Sequence, residues 1–268
     1  MEKTEIKPFL KWAGGKRWFA SHILSLLPHR FNRYIEPFLG SGAIFFSLQP
    51  NRSILCDLNE ELIDTYLAIK KNWRLVQREL RKHHSNHGKR YYYKIRESQP
   101  NSEYSRAARL IYLNRTCWNG LYRVNKRGQF NVPIGTKQNV LLETDDFEGV
   151  SILLKRSQLL AVDFEKVIQK ADKDDLLFVD PPYTVKHNEN GFIKYNEKLF
   201  HWDDQVRLSE CLKKAKRRGV HVILTNANHD SIIDLYKDEF KIVPYARNSI
   251  IAADSKNRKL CEELVIID

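Results

Sequence analysis

The run LLFVD, residues 176–180, is four apolar residues without a break, then an acid, then the pair Pro181-Pro182. A run this short and apolar on both alternating faces suits a strand covered from both sides. The prolines end it, because proline has no N–H to extend a ladder. Similar runs recur at RYIEP (33–37), SILCD (53–57), QLLAV (158–162) and VHVILTN (220–226), with helix-patterned stretches such as NEELIDTYLAIKKN (59–72) and DDQVRLSECLKKAKRR (203–218) between them. Short apolar strands joined by helices predict an α/β domain built on a Rossmann-like, mostly parallel sheet. Asn59 suits the N-cap of its helix, with acids in the first turn. The tail segments FKIVPYARNSI and LCEELVIID predict two strands around a polar loop, as an antiparallel edge.

Residues 71–144 break this rhythm, which divides the chain into a domain of 1–70 plus 145–268 and an inserted domain of 71–144. SRAARLIYLNRTCW (105–118) has helical spacing. LYRVNKRGQFNVPIG (121–135) reads as a β-hairpin with a basic turn at Gly128. Charge is concentrated here: residues 81–137 hold thirteen Lys or Arg against Glu97 and Glu103, so most of the net +12 lies in about a fifth of the chain. Interleaved aromatics (Tyr91, Tyr92, Tyr93, Tyr104, Tyr112, Trp118, Tyr122, Phe130) make a nucleic-acid surface the stronger reading over a merely solvated basic face. His83, His84 and His87 fall in HHSNH, which reads as a solvated basic loop rather than a metal site.

No apolar stretch approaches the ~20 residues that a membrane helix needs. The start MEKTEIKPFLKWAGGK lacks a signal-peptide pattern. Cys56, Cys117, Cys211 and Cys261 are too widely spread for a metal knuckle or a disulfide framework. The expectation is a cytoplasmic protein with reduced thiols, no metal and no obligate protein partner, as a monomer.

Three stretches carry chemistry. EPFLGSGAIFF (36–46) is strand, glycine turn and helix; Gly40 and Gly42 allow close approach of the backbone to a ligand. Phe45 stands where the dinucleotide fingerprint needs its third glycine, which disfavours a pyrophosphate. Asp57, at the end of SILCD, is placed to accept hydrogen bonds from ribose hydroxyls. Either piece alone also suits an ordinary turn or a surface acid. Together they suit a ligand with a ribose and no pyrophosphate, such as S-adenosylmethionine. FLKWAGGKR (9–17) is not a P-loop, since Leu10 and Arg17 occupy positions that need Gly and Ser or Thr. Trp12 could cover a ligand face and Lys16 neutralise a carboxylate; a basic turn anchored by a packed Trp is the alternative.

At DPPY, the Asp180 carboxylate and the Pro181 carbonyl form an acceptor pair for the two N–H groups of an exocyclic amine on adenine. Holding them turns the nitrogen lone pair toward an incoming methyl and stabilises the charge that develops. Tyr183 offers a stacking face. Strand C-terminal ends are where open α/β sheets bind ligands.

FLKWAGGK, EPFLGSG, ILCDLN, the basic hairpin and DPPY stand in one order across most of the chain. This series resembles the Dam-type DNA adenine-N6 methyltransferases, and the similarity extends through FNVPIG, FIKY (192–195) and the tail RNSIIAADSKNRKLCEELVI. The resemblance implies a Rossmann-like S-adenosylmethionine-dependent methyltransferase sheet with an inserted helical and β-hairpin DNA-recognition domain. It implies Trp12, Lys16, Gly40, Gly42, Asp57, Asp163, Phe164 and Asp180 as cofactor-binding residues, with Asp163 on the cofactor's adenine. Asp180, Pro181, Pro182 and Tyr183 match the catalytic motif. Lys11, Trp118, Asn119, Leu121, Arg123, Asn125, Pro133, Arg247, Asn257 and Arg258 match DNA-contacting positions, with Arg123 reading a guanine, Leu121 and Pro133 meeting thymine methyls, and Trp118 inserting into the opened duplex. Trp118 and Ile251-Ala252-Ala253 depart from the family pattern. The implied activity is methylation of N6 on an adenine flipped out of double-stranded DNA, with GATC the favoured site, in a bacterial or phage setting such as restriction–modification. A related transferase for a longer site, RNA or a protein glutamine is the enzymatic alternative, and a DNA-binding protein with a decayed cofactor site the non-enzymatic one.

Overall fold

A computed structural model of the chain describes residues 5–125, 127–186, 200–248 and 260–268, excluding the side chains of 246–248 and 260–262. Seven strands form a sheet: β1 Tyr34–Glu36, β2 Ser53–Cys56, β3 Ser157–Leu160, β4 Leu176–Val179, β5 His221–Ala227, β6 Lys241–Asn248 and β7 Leu260–Ile267. Their order is β3-β2-β1-β4-β5-β7-β6. The β2–β3, β1–β4 and β4–β5 pairs are parallel, while β7 runs antiparallel to both β5 and β6. This is the expected Rossmann-like sheet with an antiparallel edge.

The local reasons follow from residue type. Leu176, Leu177, Phe178 and Val179 are all at most 1% exposed, so β4 is apolar on both faces because both are covered. Each such side chain contributes about 1.5–3 kcal/mol on burial. The chain divides into two compact units, Met1–Ser25 with Leu39–Ala161, and Leu26–Phe38 with Val162–Asp268. The stretch 71–144 lies within the first.

In the first unit, α1 (Ala43–Leu48) follows the glycine turn, and α2 (Glu60–Asn86) is N-capped by Asn59, whose side chain accepts the Leu62 N–H. The helix expected over 59–72 thus runs on to Asn86, interrupted at Asn72, where φ −157° and ψ 86° are not helical. Buried Val76 and Leu80 carry its core face onward through the polar sequence. Next come α3 (Lys89–Glu97), α4 (Glu103–Thr116) and α5 (Phe147–Lys155). The second unit adds α6 (Phe164–Ile168), α7 (Trp202–Arg217) and α8 (Asp230–Tyr236).

Two expectations are corrected. The segment HHSNH is not a loop: His83 to Asn86 form the last turn of α2 and His87 its C-cap, with His84, Ser85 and Asn86 exposed as expected and His83 and His87 partly covered. The His83 ring stacks on Tyr112 (centroids 4.9 Å apart, planes 23°), its Nδ1 lies 2.9 Å from the Tyr91 hydroxyl, and His87 Nδ1 lies 2.9 Å from the Tyr112 hydroxyl. Aromatic partners from α3 and α4 thus draw it inward. The hairpin is narrower than two ladder strands: its pairing consists of the Val124–Phe130 bridge and backbone bonds from Asn125 to Gln129 and from Asn131 to Arg123. Pro133 supplies no N–H to lengthen it, although its carbonyl accepts the Trp118 N–H at 2.9 Å. No group of metal-ligating residues occurs among the described residues, and none of their helices is long and apolar enough to cross a membrane.

Candidate active site

In the first unit the glycine turn leads into α1. Gly40 has φ 49° and Gly42 φ 65°, backbone that glycine adopts without strain. Gly42 serves as the N-cap of α1. The Gly40 N–H donates to Asp57 Oδ2 at 3.0 Å, and Asn59 N–H donates to Oδ1 at 3.0 Å. Burial pushes the Asp57 carboxyl above its ordinary value, against these hydrogen bonds, which lower it. Each oxygen retains acceptor capacity, so a pair of ribose hydroxyls is a chemical match. Phe45, fully buried beside Phe46, occupies the position a pyrophosphate-binding glycine would need.

The segment around Trp12 joins the same assembly. Trp12 stacks on Tyr122, centroids 5.2 Å apart with planes at 23°. Tyr122 in turn donates to Glu61 Oε2 at 2.8 Å, and Arg109 donates to Glu61 Oε1 at 3.1 Å. Asn114 clamps Lys11 by both backbone groups: it accepts the Lys11 N–H at 2.9 Å and donates to the Lys11 carbonyl at 2.7 Å. Lys16 is 4% exposed and its Nζ donates to the Gly14 carbonyl at 3.1 Å. Thus Lys11, Trp12, Gly40 and Asp57 are joined to one another and to the hairpin through Asn114 and Tyr122. Asn114, Glu61 and Tyr122 escaped the sequence reading. An Asn buried in an apolar helix (Leu110–Thr116) was the available signal for the first.

On the hairpin, Arg123 is exposed, with its Nε donating to Asn131 Oδ1 at 3.0 Å. Asn125 Oδ1 accepts the Arg127 and Gln129 N–H groups, shaping the turn. Trp118 is 55% exposed, and Asn119 beside it has φ 56°. Leu121 and Pro133 are placed at the base of this hairpin. Arg247 (as a side chain), Asn257, Arg258 and FIKY lie outside the described residues.

In the second unit, β4 delivers Asp180 at its C-terminal end. Thr225, on the neighbouring β5, donates to Asp180 Oδ1 at 2.7 Å. Gln205 on α7 donates to the Pro182 carbonyl at 3.2 Å and is held by Asn226 Nδ2 at 3.1 Å. The Tyr183 hydroxyl donates to Glu263 Oε2 at 2.9 Å. Burial, then the nearby Asp180 and Glu263, push the Tyr183 phenol well above its ordinary value. It is protonated at neutral pH and acts as a donor. The Pro181 carbonyl accepts no hydrogen bond among the described residues.

Asp163 caps α6 through the Glu165 N–H at 2.9 Å and pairs with Arg207 through both oxygens, each at 2.9 Å. Burial, the largest single effect, would raise this carboxyl, but the Arg207 hydrogen bonds and charge, the Glu165 N–H and the Lys166 charge together hold it below the usual range. Phe164, next to it, forms an aromatic trio with Phe38 and Phe200, centroids 5.5–5.7 Å apart, and carries the Arg207 guanidinium over its ring at 4.3 Å.

Comparison with known proteins agrees with these features. The family model of the D12 class N6 adenine-specific DNA methyltransferases matches residues 12–250. The type II methyltransferase M1.LlaDCHI of Lactococcus lactis subsp. cremoris is 36% identical, covering 98% of this chain and 96% of that protein. M.MjaIII of Methanocaldococcus jannaschii, also named a type II methyltransferase, is 35% identical over 95% of this chain and 96% of its own. The DNA adenine methylase of Haemophilus influenzae is 30% identical over 99% and 94%. From residue 12 to residue 250, and therefore through the glycine turn, the hairpin and the Asp-Pro-Pro-Tyr segment, the chain belongs to the D12 class of N6 adenine-specific DNA methyltransferases.

Proposed function

We propose that this adenine-specific DNA methyltransferase takes its methyl group from S-adenosylmethionine and delivers it to an adenine flipped out of duplex DNA, with GATC the favoured site. The observation that carries the reading is Asp180, presented at the end of β4 with its carboxylate held by Thr225 and the Pro181 carbonyl beside it in sequence.

The donor set suits S-adenosylmethionine. Asp57 would accept the ribose hydroxyls and Lys16 would neutralise the carboxylate, while Trp12, Gly40 and Gly42 would shape the turn. Asp163 and Phe164 would meet the adenine end, with the Asp163–Arg207 pair setting the orientation of that carboxylate. When bound, S-adenosylmethionine supplies an electrophilic methyl group. The chain's part is to hold the acceptor. Asp180 and the Pro181 carbonyl would accept the N6 hydrogens and pull the nitrogen lone pair out of conjugation, and Tyr183 would stack on the base. Positive charge developing on N6 is stabilised by the Asp180 carboxylate, so the proton departs without a strong base. The amino group of a paired adenine is out of reach, which is why flipping accompanies this chemistry.

The insertion 71–144 is read as the DNA-recognition domain, from its charge and from the exposed Arg123 and Trp118. Lys11, Asn119, Leu121, Asn125, Pro133, Arg247, Asn257 and Arg258 are assigned DNA contacts on the resemblance. That two of the similar proteins are named type II methyltransferases supports a restriction–modification setting.

Expression in a host without adenine methylation, followed by modified-base sequencing, tests the reading. N6-methyladenine in GATC supports it; another motif removes the Arg123 and Leu121 assignments, and unmodified DNA overturns it. A thermal shift on adding S-adenosylmethionine tests the donor separately.

A further inference from the structure

The Asp-Pro-Pro-Tyr segment is braced by side chains to which the proposed chemistry assigns no role. Thr225 is fully buried on β5, and its hydroxyl stands 2.7 Å from Asp180 Oδ1 and 3.5 Å from the Val179 carbonyl. One proton serves both acceptors, and the shorter contact, to a carboxylate, is the stronger. The register produces this neighbour: Val179 pairs with Leu224, so the next step along the parallel pair sets Thr225 beside Asp180.

Glu263 is 3% exposed on β7, opposite Ala227 of β5, and receives the Tyr183 hydroxyl. A buried acid in a strand is costly unless it is hydrogen-bonded, so its retention beside an apolar run needs a reason.

The torsion that rotates an Asp carboxylate is broad, and a Tyr ring can swing between rotamers about its Cα–Cβ bond. Without partners, neither the acceptor lone pairs of Asp180 nor the far end of the Tyr183 ring is fixed; the hydroxyl lies on the ring's own axis, so a bond there anchors the direction in which the ring points. We propose that Thr225 and Glu263 are positioning residues for methyl transfer: Thr225 sets the plane of the Asp180 carboxylate, and Glu263 sets the Tyr183 ring through its hydroxyl. This rests on the reading that Asp180 holds the adenine amino group and Tyr183 stacks on the base. On that reading neither residue touches a substrate, so their loss falls on the chemical step and not on binding.

The test is single-turnover methyl transfer to an adenine-containing duplex, together with KM for DNA and for S-adenosylmethionine. T225V keeps the shape and removes the hydroxyl. Its rate should fall roughly 10- to 100-fold, the scale of a misplaced catalytic group, with both KM values nearly unchanged. T225S should recover most of the loss. A wild-type rate in T225V, or T225S as slow as T225V, overturns the role of Thr225. Should T225V lose its cooperative unfolding transition, T225C, with a weaker donor of similar shape, is read the same way. For Glu263, Y183F keeps the ring and removes the donor. E263Q in the Y183F background should then cost nothing further, and an additive loss overturns the role of Glu263. D180A separates the two levels. If D180A keeps turnover, the underlying reading fails; if D180A is inactive while T225V is normal, the positioning role alone fails.

Discussion

Trp12 fills the space that a side chain at Gly40 would need: a Cβ placed there would lie 2.8 Å from Trp12 Cδ1, closer than any real packing contact. Gly40 also has φ 49°, so G40A meets backbone strain of about 1–2 kcal/mol as well as the clash. The same residue donates its N–H to Asp57 and accepts the Tyr66 hydroxyl on its carbonyl at 3.1 Å, so a shift there moves the proposed ribose acceptor. G40A should therefore fold with a lower unfolding free energy and bind S-adenosylmethionine roughly tenfold more weakly or worse. Urea unfolding and calorimetric titration measure the two effects. Unchanged affinity would dissociate the glycine turn from the cofactor.

Arg115 and Asp145 form a buried two-pronged pair at 2.6 and 2.7 Å, with side chains 4% and 7% exposed. Arg115 also donates to the carbonyls of Phe9 and Val140, tying the segment before Trp12 to α4. D145A would leave a guanidinium buried without its counter-charge. A loss of about 3–5 kcal/mol in urea unfolding is expected, the usual cost of breaking one side of such a pair. R115K should be almost as damaging, since an ammonium cannot reproduce the planar fork. A D145A loss under about 1 kcal/mol would mean that solvent reaches the pair.

The strands and their ends were legible because LLFVD, SILCD and VHVILTN are short, apolar and punctuated by Pro, Asp or Asn, so that Asp57 and Asp180 fall where a ligand would meet them. Other features depend on distance folded across the chain. Tyr91 and Tyr112 come from other helices to enclose His83, and nothing inside HHSNH reports that. Glu263 looks like any acid in an amphipathic tail until β7 is placed beside β5. Thr225 is intermediate: once LLFVD and VHVILTN are paired in parallel, residue 225 follows from the register. Asp163 shows the opposite limit, since only the family resemblance implied a ligand contact there, and nothing in its sequence context signalled its pairing with Arg207.

His83 links this packing to pH. Burial lowers its pKa from 6.5 to about 4, with Glu79 opposing and Arg109 and Lys82 assisting. The folded state thus keeps His83 neutral where the unfolded chain, near its ordinary value of about 6.5, takes up a proton. Between those two values the unfolded state binds more protons, so this contribution is complete above about 6.5 and is lost as pH falls toward 4. Burial also lowers His87, in the same direction. Unfolding free energy should fall between pH 7 and pH 4.5, and H83F should flatten that fall. An H83F profile parallel to the wild type would place the acid sensitivity elsewhere.

On the proposed reading, Arg123 is the residue on which site preference turns. Its Nε is held by Asn131 Oδ1 at 3.0 Å, so a bidentate contact to guanine O6 and N7 would use the two terminal nitrogens. R123A should lower discrimination at one base pair by about 1–3 kcal/mol while leaving methyl transfer chemistry intact. R123K should not restore it, because a lysine offers one point of contact where the fork offers two. N131A removes only the tether, so its effect should be smaller and of the same kind. Single-turnover rates on duplexes that differ at one base pair measure this directly. The Asp180 machinery sits on a different element from the hairpin, so rates on the preferred duplex and rates on the altered duplex should respond separately. If R123A slowed both equally, Arg123 would be anchoring the backbone of the DNA and not reading its sequence.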